Sequence, residues 1–347
     1  MNFIIEEDLN NIIAENLSWS KLKNKKILIT GANGFLGSYF VYVLISLNKK
    51  YNLNITIYAL CRNSKKAMEK FGDYNNQHGL NIIYQDVCQE ISDEYKSDMI
   101  IHAASPANRR LYFEEPYQVV KANVCACNLL LEKCEKWNVE QMLVFSSSAV
   151  YGKEMPSELV KEEYRGQIDF TDSNEVYALS KQLMENLIET KRKKTGLVIN
   201  VVRPFLVYGP GDGYSSGKAI TDFLKNYIFS ENIIIKSREE LYRSYVYISE
   251  AIKAVFYVLL FGKGDTYNIS SEKNIYSIKE LATIISELHG TICVEFFENK
   301  EIKGEEKKTI IGSSEKIERL GWNNKIDIKE GLIRTIKWAE NSNFINL

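Results

Sequence analysis

Tyr177 and Lys181 stand four residues apart in a helical stretch, so their side chains share one helix face. A phenol titrates near pH ~10 in water, too high for a base at neutral pH, and a neighbouring ammonium favours its ionised form. Tyr177 can therefore serve as general base for a hydroxyl whose carbon gives up hydride, with Lys181 supplying the charge. Upstream, Phe145-Ser-Ser-Ser-Ala-Val-Tyr-Gly152 closes an apolar run with three adjacent hydroxyls. Such a hydroxyl can hold a reacting oxygen beside Tyr177.

Hydride needs an acceptor, and the sequence holds a place for one. The run KILIT leads directly into Gly31-Ala-Asn-Gly34-Phe-Leu-Gly37 and an apolar helix. Glycines there let the backbone turn tightly, bring a pyrophosphate to the helix N-terminus and pack helix against strand. The preceding strand and following helix are the context that marks a dinucleotide turn. The next strand, ITIYAL, ends on Cys61-Arg62-Asn63-Ser64, where a carboxylate would bind ribose hydroxyls. Arg62, with Lys65 and Lys66 nearby, can instead pair with a 2′-phosphate. A solvated loop arginine beside NAD is the other reading, so NAD and NADP both stay open.

Short β-branched runs alternate with helical stretches from Lys26 onward: KILIT, ITIYAL, NIIYQDV, MIIHAA, MLVFSSS and LVINVVRPF. Continuously apolar strands separated by helices predict a parallel sheet covered on both faces. The expected fold is α/β, a Rossmann-type doubly wound parallel sheet with a smaller C-terminal α/β substrate domain. Expected boundaries are a helical extension over 1–25, a nucleotide-binding domain over 26–204, and a mainly substrate-binding region over 205–347 with some segments returning to the main sheet. Two long helices are expected at Gln118–Trp137 and Ser173–Lys194. Near the N-terminus Ile5, Leu9, Ile12 and Ile13 recur at helical spacing, which predicts an amphipathic helix packed on the main domain.

The 347 residues carry a formal net charge of −1, which leaves no basic field for nucleic acid or an anionic membrane. A small ligand is the expected partner. Six cysteines lack the spacing of a zinc site, so no metal is expected and the thiols read as reduced core residues. Cys125 and Cys127 point to different helix faces. Glu6, Glu7 and Asp8 stand where a secretion signal needs positive charge, and Phe35 to Leu47 is too short for a membrane span. A cytoplasmic protein is expected.

The glycine spacing, the serine-ended strand and Tyr177-Ala-Leu-Ser-Lys181 together resemble the extended short-chain dehydrogenase/reductase superfamily. The likeness runs on through Arg203-Pro-Phe-Leu-Val-Tyr-Gly-Pro210, Arg243-Ser-Tyr-Val-Tyr-Ile-Ser249 and Leu320-Gly-Trp322, covering about Lys26 to Trp338. It is greatest to the NDP-sugar epimerase/dehydratase group. The resemblance implies that Ser147, three residues before the valine of Val150-Tyr-Gly152, is the catalytic serine, with Ser146 and Ser148 as alternatives. It places Asp86 and Val87 at the adenine, and Ala103 and Ala104 where the fourth strand meets the cofactor. Asn123 matches the family's asparagine in the following helix. Gly31, Asn33, Gly34, Phe35, Leu36, Gly37, Tyr177 and Lys181 complete the implied cofactor set. Ser105, Ser148 and Arg243 are the implied substrate contacts, Arg243 on the diphosphate.

Departures from that pattern narrow the chemistry. Family 4,6-dehydratases carry an acidic residue or pair directly after the catalytic Ser/Thr, where this chain has Ser148 and Ala149. UDP-glucuronate decarboxylases, which AASPA at 103–107 resembles, carry a glutamate at the place of Ala149. Leu206 replaces an asparagine that touches substrate in many members. Asn108, Arg109 and Arg110 follow the fourth strand and can face the ligand crevice. The expected activity is hydride transfer at one sugar carbon, C4, through a keto intermediate, most like an NDP-sugar 4-epimerase. Alternatives are a 4-keto-sugar reductase, a decarboxylase-like enzyme and a non-catalytic cofactor-binding regulator. A homodimer is expected through the two long helices, by Val119, Val120, Leu129 and Leu130 on one and Leu179, Leu183 and Leu187 on the other.

Overall fold

The computed structural model describes every residue except 107–108, 153–155, 157–158, 214–215, 236–240, 297–307 and 343–347. Among the described residues thirteen strands form: β1 Lys26–Thr30, β2 Thr56–Cys61, β3 Leu80–Tyr84, β4 Met99–His102, β5 Gln141–Phe145, β6 Val198–Pro204, β7 Leu206–Tyr208, β8 Ile233–Ile235, β9 Leu241–Tyr247, β10 Thr266–Ile269, β11 Ile275–Ser277, β12 Val294–Phe296 and β13 Lys308–Ile310. The α-helices are α1 Phe3–Ile13, α2 Phe35–Tyr51, α3 Ser64–Phe71, α4 Arg109–Glu114, α5 Pro116–Val120, α6 Ala126–Trp137, α7 Val176–Thr195, α8 Ala219–Phe229, α9 Ile248–Phe261, α10 Ile278–His289, α11 Glu315–Glu318 and α12 Ile328–Glu340.

Seven parallel strands make the main sheet in the order β10-β6-β5-β4-β1-β2-β3. The chain leaves β1 towards one edge and returns on its other side at β4, so the order reverses between those two strands. Side chains alternate across the sheet. Ile27, Ile29, Ile101 and Leu143 enter a core with α1, α2 and α9. Leu28, Ile100, Met142 and Val144 enter a second core with α6 and α7. Both faces are therefore covered, as apolar runs without polar alternation require. Strand β10, late in the sequence, pairs with β6 in this sheet. The smaller region centres on β9, flanked by β7, β11 and β13, with β8 and β12 as a separate pair.

Helix α1 belongs to the main core, burying Leu9, Ile12 and Ile13. It also buries Asp8 completely. Asp8 accepts hydrogen bonds from the Tyr247 hydroxyl at 2.9 Å, the Tyr39 hydroxyl at 3.3 Å and Arg334 at 2.8 Å.

Four expectations need correction. The helix expected at Gln118–Trp137 is broken: α5 passes into a π-helical turn over Lys121–Cys125 before α6 begins. The segment Ser173–Glu175 is a 3-10 turn, and α7 starts at Val176. Val119 and Leu130 are fully buried within the chain, which removes them from any outer face. Cys61, Cys127 and Cys134 are core thiols as expected, but Cys125 and Cys293 are exposed.

Candidate active site

The main sheet brings the candidate residues to one edge. Gly31 follows β1, Arg62 follows β2, Asp86 follows β3, Ala103 to Ser105 follow β4, and Ser147 follows β5. In parallel sheets the crevice outside these carboxyl ends, at the reversal of strand order, is where ligands bind. Here that reversal lies between β1 and β4, whose ends carry the glycine turn and the Ala103-Ala104-Ser105 segment.

The glycine turn has the shape a dinucleotide needs. Gly31 adopts φ +64°, and a Cβ there would lie 2.6 Å from the backbone of Ala104. A Cβ on Gly37 would collide with the Gly31 carbonyl. Gly34 precedes helix α2 at its N-terminus, where among the described residues no side chain caps it and the first turn holds no acidic residue. Its free amides and positive dipole end suit a pyrophosphate. Phe35 and Leu36 open the helix, and Lys218 lies 5.0 Å over the Phe35 ring while holding Asp212 at 2.7 Å. Beside the turn, Asn33 donates to the Asn63 carbonyl at 3.1 Å, and Arg62, Lys65 and Lys66 are all exposed. Asp86 turns its carboxylate onto the Cys88 amide at 2.8 Å, next to buried Val87.

Helix α7 is fastened on both sides of the serine turn. Lys181 donates to the Phe145 carbonyl at 2.7 Å, and Gln182 donates to the Val150 carbonyl at 2.8 Å. Farther along, Glu185 pairs with Arg203 of β6 at 2.6 Å. Tyr177 and Lys181 share a face, with the Lys181 ammonium 5.9 Å from the Tyr177 ring centroid. Burial lowers the Lys181 pKa to about 8. Burial raises that of Tyr177, whose hydroxyl shares hydrogen bonds with Ser147, Tyr112 and Ser105. Of the three adjacent serines it is Ser147 that reaches Tyr177, while the Ser146 hydroxyl is buried without a partner among the described residues and Ser148 is half-buried.

A chain of hydrogen bonds behind Tyr177 has a fixed direction. Ser180 donates to the Tyr177 carbonyl at 2.8 Å, so its oxygen can only accept from Asn123, at 2.8 Å. The amide orientation of fully buried Asn123 follows, with its oxygen towards Ser105 at 2.7 Å. Ser105 spends its single proton on Asn123 and must accept from the Tyr177 hydroxyl. Asn123 lies within the π turn, an insertion that re-aims side chains and recurs at functional sites.

The match to the family model described as NAD dependent epimerase/dehydratase family runs over residues 27–270, from β1 through β10. The chain belongs to the NAD-dependent epimerase/dehydratase family. It is 27% identical to a UDP-glucuronate 4-epimerase of Thermodesulfobacterium geofontis, over 90% of this chain and 95% of the relative. It is 25% identical to UDP-glucuronic acid decarboxylase 6 of Arabidopsis thaliana, over 89% and 87% of the two chains. In fold it resembles a UDP-glucuronic acid 4-epimerase variant from Bacillus cereus, solved with UDP-4-deoxy-4-fluoro-glucuronic acid and NAD. That likeness has a TM-score of 0.77 at 20% identity, covering 91% of this chain and 99% of the other.

Arg243, the residue that resemblance to the family assigns to a diphosphate, lies half-buried on β9 between β11 and β13. Leu206 opens β7, which pairs with β9. Arg110 is exposed and pairs with Glu114 at 2.6 Å, Arg109 opens α4, and Asn108 lies outside the described residues. Sequence reasoning missed Ser180 and Tyr112. Ser180 was hidden inside the Tyr-Lys motif itself. Tyr112 lies on the segment after β4, whose position at the crevice was the available signal.

Proposed function

We propose that this enzyme is an NDP-sugar 4-epimerase, acting on its substrate by hydride transfer at C4 through a keto intermediate. The observation that carries the reading is the Tyr177–Ser147 hydroxyl pair at the same sheet edge as a dinucleotide-shaped turn, with Ala149 where an acid would be needed for elimination. The glycine cradle fits a nicotinamide dinucleotide, which when bound supplies the hydride acceptor and donor. Tyr177 takes the proton of the sugar hydroxyl as the carbon is oxidised and returns it after the keto sugar has presented its other face. Ser147 holds the same oxygen. Buried Lys181 brings positive charge beside the phenol. Arg243, on the smaller region, is the proposed contact for the diphosphate.

The dimer belongs to this proposal. Tyr117 is 81% exposed, Phe113 61% and Leu183 49%, and with half-buried Val120, Leu129, Leu179 and Leu187 they give α4 to α7 an apolar outer surface suited to a second copy.

One observation favours a second reading, a 4-keto-sugar reductase using exchangeable NADPH. Arg62, Lys65 and Lys66 surround the start of α3, whose first turn holds no acidic residue. Mass spectrometry of nucleotide released from the denatured protein separates the two readings. Retained NAD, with interconversion of C4 epimers of UDP-glucose or UDP-glucuronate, supports the epimerase. A protein that emerges empty and consumes NADPH with a 4-keto-sugar nucleotide sinks it.

A further inference from the structure

The reaction centre contains a second tyrosine that the proposed mechanism does not use. Tyr112 of α4 lies flat on Tyr177, with ring centroids 4.4 Å apart and planes 9° apart. Its hydroxyl bonds the Tyr177 hydroxyl. The direction of the chain behind Tyr177 gives this bond a meaning. Ser105 is committed as donor to Asn123, so it accepts the Tyr177 proton and has none to offer. When Tyr177 ionises, Ser105 presents only a lone pair to it. The donors left among the described residues bonded to that oxygen are Ser147 and Tyr112. Ser147 accepts from the Ala149 amide at 3.2 Å and keeps one proton, which the sugar oxygen also requires.

We propose that Tyr112 is a positioning residue for the reaction: its stacked ring fixes the plane of Tyr177, and its hydroxyl donates to the ionised oxygen while Ser147 serves the sugar. The inference rests on the reading of Tyr177 as the base. Ser105, Asn123 and Ser180 form a rail whose protons are all directed away from the Tyr177 oxygen, so donation to that oxygen falls to Ser147 and Tyr112. A stack at this separation also limits rotation of Tyr177 about its ring axis, so the hydroxyl stays directed at Ser147. Mere packing would need the ring of Tyr112 and not its oxygen.

The test needs no knowledge of the sugar. Tyrosinate absorbance of NAD-loaded protein is titrated with and without Tyr177→Phe, and the difference isolates Tyr177. The same pair is then made in a Tyr112→Phe background, which keeps the ring. Loss of one donor to a charged oxygen should move Tyr177 ionisation up by about one pH unit, a tenfold change. Tyr112→Leu, which also loses the stack, should lower kcat further for UDP-glucose or UDP-glucuronate while NAD affinity and the thermal midpoint hold. Superimposable titrations with and without the Tyr112 hydroxyl overturn the inference while leaving Tyr177 as base. Full turnover in Tyr177→Phe overturns both.

Discussion

Lys181 donates from its buried ammonium to the Phe145 carbonyl, 2.7 Å away, at the point where β5 gives way to the serine turn. One side chain thus locks the helix that carries Tyr177 to the strand end that carries Ser147. The separation of the two reacting hydroxyls is thus supported by a hydrogen bond that involves neither of them.

Tyr177→Phe should abolish turnover and leave cofactor affinity nearly unchanged, because only the titrating hydroxyl is lost. Lys181→Met should lose turnover and stability together. It leaves the buried Phe145 carbonyl without this donor, which costs about 1–3 kcal/mol in denaturant titration. A fully active Tyr177→Phe enzyme would remove Tyr177 from the mechanism.

Asn123→Ala should destabilise the fold by about 1–3 kcal/mol, since Ser105 and Ser180 both lose a partner inside the protein. The Ser180 bond to the Tyr177 carbonyl survives. Unchanged urea midpoints would show that the chain carries no stability.

Asp8 predicts a pH dependence. Burial raises its pKa from 3.8 to about 6, against the opposing pull of Arg334, Tyr247 and Tyr39. The folded state therefore binds a proton that the unfolded chain has released. That contribution to stability is complete below pH 3.8 and is lost as pH rises through about 6, a difference of at most roughly 3 kcal/mol. Relative to Asp8→Asn, which cannot titrate, the native protein should lose thermal midpoint between pH 4 and pH 7. A constant gap between the two proteins over that range would refute the assignment.

Arg62→Ala should weaken NADPH binding by one or two charge-assisted hydrogen bonds, each ~1.5–3 kcal/mol, and scarcely move NADH affinity. The ratio of the two affinities is the measurement. A ratio that stays put makes Arg62 a bystander and favours the retained-NAD epimerase.

Light scattering at micromolar concentration should give the mass of a dimer. Leu183→Glu, placing charge on the exposed face of α7, should shift the protein to monomer without loss of secondary structure. A monomeric native protein would count against the proposed face.

The glycine turn and the Tyr177–Lys181 pair were legible because each depends on spacing within one element. Strand runs from KILIT to LVINVVRPF were legible because strands buried on both faces are apolar throughout. The π turn was not, since one surplus residue leaves the surrounding helical period intact and has no marker residue. Direction in the Ser105–Asn123–Ser180 chain depends on a backbone carbonyl, which every sequence has everywhere. Asp8 reads as one more acid on a polar helix end; only the convergence of Tyr39, Tyr247 and Arg334 from three distant segments explains its burial.

Strand β10 closes the main sheet beside β6, yet the chain first builds everything from β7 to α9. During synthesis β6 must wait as an open edge until Ile269 has emerged, with its amides and carbonyls available to any passing strand. The two regions therefore cannot mature one after the other. A chain interrupted within the smaller region leaves the larger sheet unfinished, and truncation there should yield aggregates instead of a separate nucleotide-binding fragment.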